Sequence, residues 1–226
     1  MYTIFKKIFT IALLRWQNLE KGVRVISNVI NKVVFKRAIN FFILGAALTV
    51  IATIITFIIN PDLKETLEGI GNRIPDQVKK LTGIEKVWTY IVNNGFIVPL
   101  QMFILALIPI QFLYVIHIIL TASLLGVSFG IALQLGFKKG FVMIISSIPH
   151  YLVEVFALCL VAAILFELNK FIRIKLKIMF KKDKERVSLS KKILEVIKIY
   201  AILTLPIIIV AAFLETYITN IIFDLF

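Results

Sequence analysis

Five long apolar segments dominate the sequence and restrict its fold more than any other feature. Each is long enough to cross a hydrocarbon layer about 30 Å thick, which takes roughly 20 helical residues. Only helices and closed barrels satisfy their backbone polar groups in lipid. We therefore predict an all-α, polytopic membrane helix bundle with about five transmembrane helices. These spans are residues 39–59, 88–107, 112–133, 141–166 and 199–222.

The composition excludes several classes of protein. Hydrophobic residues make up 60% of the 226 residues and charged residues 17%, an apolar share well above that of soluble domains. A soluble cytosolic enzyme is therefore excluded, and five spans leave no room for a large extramembrane domain. The single cysteine, Cys159, cannot form an internal disulfide and is interpreted as a small buried hydrophobe. We expect no cofactor.

Most of the net charge of +13 lies in two segments of the sequence. Residues 1–38 hold eight basic side chains and one acidic one, which predicts a cytoplasmic, interfacial amphipathic helix. Residues 167–198 hold eleven basic and four acidic side chains, which predicts a basic cytoplasmic loop. Residues 60–87 are predicted to form an extracytoplasmic lid. The five-span membrane domain as a whole is residues 39–226.

Both basic segments fall on the same side of a five-span chain, so the positive-inside rule is satisfied. We expect a multi-pass protein of the cell membrane with a cytoplasmic N-terminus and an extracytoplasmic C-terminus. Anionic lipids of the inner leaflet account for the basic clusters. The charge therefore predicts a lipid partner and no nucleic-acid partner.

The most unusual residue in the predicted spans is Glu154, because an ionised side chain at mid-membrane costs about 2.5–3.5 kcal/mol on insertion scales. His150 lies four residues earlier, so both side chains share one helix face. Gln101 is predicted at the same depth in span two, which predicts contact between spans two and four. Asn93 and Asn94 add further polarity to span two. Gln101, His150 and Glu154 are interpreted either as an interhelical hydrogen-bonded clamp or as a functional site. The two asparagines are interpreted as caps of a broken helix or as a bond across to span four.

Two further patterns concern helix packing and metal binding. Gly126 and Gly130 have the four-residue spacing that lets helix backbones approach closely, and Pro149 predicts a kink in span four. The two histidines, His117 and His150, are predicted at different depths, and the His-Glu-x-x-His spacing of zinc proteases is missing. We therefore predict no metal site and no assigned catalytic residue.

The order of these residues resembles the integral membrane family of the stage II sporulation protein M, over about residues 88–172. Asn93 and Asn94 match an early Asn pair, and Gly126 matches a glycine in the following span. Pro149, His150 and Glu154 match a late signature. The resemblance implies a polytopic protein that acts in a membrane complex without a defined catalytic activity. Its relatives serve with cell-wall remodelling factors in sporulation, or accompany the production, export and immunity functions of circular bacteriocins.

The leading hypothesis is a non-enzymatic membrane subunit of a peptide-export or cell-envelope complex. Other membrane proteins are its expected partners, with an ABC-type ATPase as one candidate and a peptide as a candidate substrate. Two alternatives stay open. A permease or ion-coupled transporter would use Glu154 as a titrating group, and an intramembrane hydrolase would use Glu154 and His150 as acid and base. The sequence leans against an enzyme without deciding the point.

Overall fold

A computed structural model describes residues 32–59, 81–179 and 188–226, and these residues are helical apart from short turns. Five of their helices are long and apolar enough to cross a membrane, so the predicted all-α fold with five spans is confirmed. Most of the predicted interfacial helix (residues 1–38) and of the predicted lid (residues 60–87) lies outside the described residues.

The five membrane helices follow one another in an up-and-down order. We number them α1 to α5, and their bounds are Lys32–Ile59, Gly83–Leu107, Ile116–Leu135, Phe137–Met179 and Leu189–Asp224. A short 3₁₀ turn, Leu113–Val115, precedes α3. Helix α2 contains one π-helical turn, Asn93–Ile97, and α5 contains two, Tyr200–Thr204 and Leu214–Ile218.

The helices extend beyond the predicted spans. Helix α1 begins at Lys32 and α2 at Gly83, several residues before the predicted starts at 39 and 88. The predicted loop 167–198 is wrong for its described part, because α4 continues to Met179 and α5 already begins at Leu189. Charged residues end the segment that is apolar enough to lie in the hydrocarbon core, but the helix propensities of Lys, Arg and Glu are nearly as high as that of Leu. The helix therefore continues past the apolar run.

Helices α1 and α3 are in close backbone contact through two glycines. A Cβ atom on Gly126 would lie 2.4 Å from the Thr49 carbonyl oxygen, and one on Gly130 would lie 2.6 Å from Thr56 Cβ. The same contact carries polar bonds, since Thr49 Oγ1 lies 3.1 Å from the Ala122 carbonyl oxygen. Because lipid chains are as apolar as the helix surfaces, the hydrophobic effect does not drive helices together within a membrane. Close packing and interhelical hydrogen bonds therefore stabilise the α1–α3 pair.

Helix α4 is the central helix of the bundle. It contacts α1, α2, α3 and α5, and nearly every residue from Val155 to Leu165 is buried. Tyr151 joins it to α1, because its hydroxyl lies 2.8 Å from Thr49 Oγ1. The helical assignment continues through Pro149, so the proline does not break the span.

One end of the bundle, which we call the basic end, is held together by α4. There Arg37 of α1 forms an ion pair of 2.6 Å with Glu167 and lies over the Phe166 ring. Asn169, which is 1% exposed, donates to the carbonyl oxygens of Ala106, in the last turn of α2, and of Ile108, directly after it. These bonds supply donors to carbonyls that the end of a helix leaves unpaired.

The α1–α3 contact predicts that Gly126→Leu destabilises the bundle by about 1–3 kcal/mol, because the added side chain meets backbone and cannot be accommodated. Ser128→Leu is the matched control, since Ser128 is exposed on the same helix. Unfolding by a denaturing detergent, followed by circular dichroism, measures both. Equal stability of the two variants would contradict the proposed packing.

The basic-end contacts predict that Asn169→Leu costs about 1–3 kcal/mol, because the carbonyl of buried Ala106 loses its donor. Asn40→Leu makes the same chemical change at an exposed position of α1 and is expected to be neutral. The same unfolding assay compares them, and an unaffected Asn169→Leu protein would refute the role of this amide.

Candidate functional site

A polar cluster lies between α2, α4 and α5, towards the end of the bundle opposite the basic end. Each of the three helices contributes two side chains spaced four residues apart, so each pair shares one helix face. We call this set the polar cluster. Its members are Lys86, Tyr90, His150, Glu154, Glu215 and Thr219.

The pairs on α4 and α5 meet because these helices run in opposite directions. His150 Nδ1 lies 3.0 Å from Thr219 Oγ1. Glu154 follows His150 by one turn on α4, and Glu215 precedes Thr219 by one turn on α5. The two carboxyl groups are close enough to repel each other electrostatically. The π-helical turn Leu214–Ile218 contains Glu215, and π-helical turns occur frequently at functional sites.

Helix α2 completes the cluster from a third side. The Tyr90 hydroxyl lies close enough to interact with the Glu215 carboxyl group and also interacts electrostatically with Glu154. Lys86 interacts with Glu215 and His150, and its ammonium nitrogen lies 5.7 Å from the centre of the Tyr90 ring. The cluster therefore brings two carboxyl groups, one ammonium group, an imidazole and a phenol together.

The chemistry of this arrangement is that of an exchangeable proton or cation. Ionisation of both neighbouring carboxyl groups together is opposed by their mutual repulsion. A phenol and an imidazole beside them are groups that donate and accept protons. The same groups also bond three helices together, which is a structural role.

The structure separates Gln101 from the residues it was predicted to join. Gln101 is exposed on α2, whereas its neighbour Met102 is fully buried. The predicted contact between Gln101 and Glu154 is therefore wrong, although spans two and four do pack against each other. Counting residues fixed the depth of Gln101 but not its direction around the helix axis. The π-helical turn before it also changes that direction.

Asn93 and Asn94 form their own contact. They begin the π-helical turn of α2, and the Asn93 side-chain amide donates to Asn94 Oδ1 at 2.6 Å. Pro149, predicted to kink α4, directly precedes His150 in the cluster.

Four members of the cluster were missed from the sequence, namely Lys86, Tyr90, Glu215 and Thr219. A signal for them was present, because each pair repeats the four-residue spacing of His150 and Glu154. Within the described ranges, no group of three or more His, Cys, Asp or Glu side chains is arranged to hold a metal ion.

Comparison with known proteins gives a family match. The family model described as stage II sporulation protein M matches residues 38–220, a range that includes all six members of the polar cluster. No curated protein and no solved structure matches the chain significantly.

The repulsion between the two carboxyl groups predicts that Glu154→Gln and Glu215→Gln have non-additive effects on stability. Each substitution alone relieves the same repulsion, so the double variant gains less than the sum, with a coupling energy on the order of 1 kcal/mol. Glu154→Gln combined with Glu85→Gln, at an exposed site of α2, is the additive control. Additivity in both pairs would contradict the proximity of Glu154 and Glu215.

Proposed function

Because the chain belongs to the stage II sporulation protein M family, we propose that it is a non-enzymatic membrane subunit of a peptide-export or cell-envelope complex. Its expected partners are other membrane-complex proteins, with an ABC-type ATPase as one candidate and a peptide as a candidate substrate. The family match supports a multi-span membrane protein, and the basic end of the bundle supports the specific role.

The observation that carries the proposal is the projection formed by the last turns of α4 and the first turns of α5. Helix α4 has 43 residues and is roughly 64 Å long, about twice the thickness of a hydrocarbon core. Its final turns and the start of α5 carry basic side chains beyond the buried part of the bundle. These are Lys170, Arg173, Lys175, Lys177, Lys191 and Lys192.

This basic projection is suited to an acidic partner surface. Charge complementarity steers association and suppresses incorrect partners. The basic side chains lie on helices that continue from the membrane spans, so their positions are rigid. The positive-inside rule favours a cytoplasmic location for this projection. We infer that the N-terminus is cytoplasmic and the C-terminus extracytoplasmic.

A second candidate function is ion-coupled transport, and the Glu154–Glu215 pair favours it. Acidic side chains within membrane spans are typical of proton relays in pumps and transporters. In this reading the proton or cation exchanges at Glu154 during transport. If the protein is a non-enzymatic membrane subunit, the same cluster only holds α2, α4 and α5 together.

The membrane-subunit proposal predicts that proteins co-purify with the affinity-tagged chain from its native membranes in mild detergent. Lys175→Gln with Lys177→Gln is expected to lose the partner, because it removes two charges from the projection. Lys138→Gln with Lys139→Gln is the matched control at the opposite end, where both lysines are exposed. Partner retention by both double variants, or isolation of the chain alone, would contradict the proposal.

The two candidate functions are separated by Glu154→Gln. A subunit with a structural cluster is expected to keep its co-purifying partner, since the amide still forms hydrogen bonds at this site. A transporter loses proton flux, measured with a pH-sensitive dye trapped in vesicles containing the purified protein. Proton flux in the parent protein that disappears in Glu154→Gln would favour transport over the first proposal.

A further inference from the structure

An apolar groove opens on the side of the bundle between α2, α4 and α5. Its volume is about 350 Å³, within the range of ligand pockets. All of its lining residues are apolar except for the Tyr200 hydroxyl. They are Gly95, Phe96, Ile97, Pro99, Leu100, Phe103, Val161, Ile164, Leu165, Val196, Ile197 and Tyr200.

Two π-helical turns shape the inner limit of the groove. Gly95 lies in the π-helical turn of α2, and Tyr200 begins the first π-helical turn of α5. The Tyr200 hydroxyl donates a hydrogen bond to the Gly95 carbonyl oxygen. Since a π-helical turn alters the regular backbone ladder, it makes a carbonyl available to a side chain. This bond connects α2 to α5 where the groove ends.

The groove lies at the depth of lipid chains. Along α2, Phe103 is roughly 6 Å and Gly95 roughly 18 Å from the last helical residue at the basic end, at 1.5 Å per residue. Both distances fall inside a hydrocarbon core about 30 Å thick. The groove therefore runs from near the basic end towards the middle of the membrane. Its long direction is parallel to that of a lipid acyl chain in the bilayer.

Positive charge lies between the groove and the basic end. Lys192 is four residues before the lining residue Val196, so it occupies the same face of α5 one turn closer to the basic end. Its ammonium group forms an ion pair of 3.0 Å with Glu195 Oε2, and an ammonium group has two further N–H donors for a phosphate. Arg173 is two turns beyond the lining residue Leu165 on α4. Its Nε donates to Asn169 Oδ1 at 3.0 Å, and this bond leaves the terminal guanidinium nitrogens available.

We propose that the groove holds one acyl chain of an anionic phospholipid, whose phosphate lies between Arg173 and Lys192. The apolar lining matches the chain, and the two cations match the headgroup, as in other basic pockets at the membrane interface between helices. The bound lipid fills the space between α2, α4 and α5 and supports the packing of the two helices that contribute Tyr90 and Glu215 to the polar cluster.

The test uses a single tryptophan and brominated lipids, which quench tryptophan on contact. The chain has two tryptophans, so Trp16→Phe and Trp88→Phe provide the background. Phe103→Trp then reports on the groove, and Ile104→Trp reports on the lipid-facing side at nearly the same depth, since Ile104 is 53% exposed and is not a lining residue. Leu100→Trp, also in the groove, replaces Phe103→Trp if that protein fails to fold.

The protein is placed in phosphatidylcholine vesicles in which a fixed fraction of lipid is brominated phosphatidylglycerol or brominated phosphatidylcholine. For Phe103→Trp, we expect the quenching to report about fivefold local enrichment of the phosphatidylglycerol, which corresponds to about 1 kcal/mol. For Ile104→Trp, the two brominated lipids are expected to quench equally. Adding Lys192→Gln is expected to reduce the enrichment at Phe103→Trp, whereas adding Lys191→Gln leaves it unchanged.

Three outcomes would overturn the proposal. Equal quenching of Phe103→Trp by both lipids would mean that the groove does not select an anionic lipid. Equal effects of Lys191→Gln and Lys192→Gln would assign the preference to general surface charge. Absence of quenching at Phe103→Trp, with normal quenching at Ile104→Trp, would mean that protein fills the groove.

Discussion

Polar groups inside hydrocarbon need partners within the protein, and the bundle depends on how these partners are supplied. Side chains of one helix bond to the backbone of another at both ends of the bundle. Asn169 of α4 donates to carbonyls at the end of α2, and the Gln134 amide at the end of α3 donates to the Thr56 carbonyl of α1. Between these ends, Thr49 connects α1 with both α3 and α4. These bonds hold α1, α3 and α4 together and attach the end of α2 to α4.

Helices α2 and α5 pack against this framework and carry its unusual features. All three π-helical turns of the described residues lie in these two helices. So do four of the six members of the polar cluster and most residues of the apolar groove. The Tyr200–Gly95 hydrogen bond joins the two helices near mid-membrane, and Tyr90 interacts with Glu215 within the polar cluster. The candidate sites therefore occupy the part of the bundle where α2 and α5 meet α4.

The fold was predictable from the sequence because apolar length and charge asymmetry determine membrane spans almost independently of tertiary structure. The spacing of Gly126 and Gly130 likewise predicted a close helix contact. It did not predict that α1 is the partner helix, because the partner is determined by the tertiary fold. The partner of Glu154 was also beyond reach, since residue counting gives depth and not direction. Gln101 was chosen for its depth, whereas the structure places Glu215 beside Glu154. The continuation of α4 to Met179 was missed because a basic segment was taken to mean a loop.

The arrangement on which the polar cluster depends is that Glu154 of α4 faces Glu215 of α5 inside the bundle. Cysteine pairs test it directly in a Cys159→Ala background, which leaves no other thiol. The protein with Glu154→Cys and Glu215→Cys is treated in membranes with mercuric ion, which bridges neighbouring thiols, and the bridged fraction is measured by mass spectrometry. We predict efficient bridging in this protein and none in a protein with Glu154→Cys and Gln101→Cys. Bridging of the second pair without the first would contradict the arrangement of the three helices.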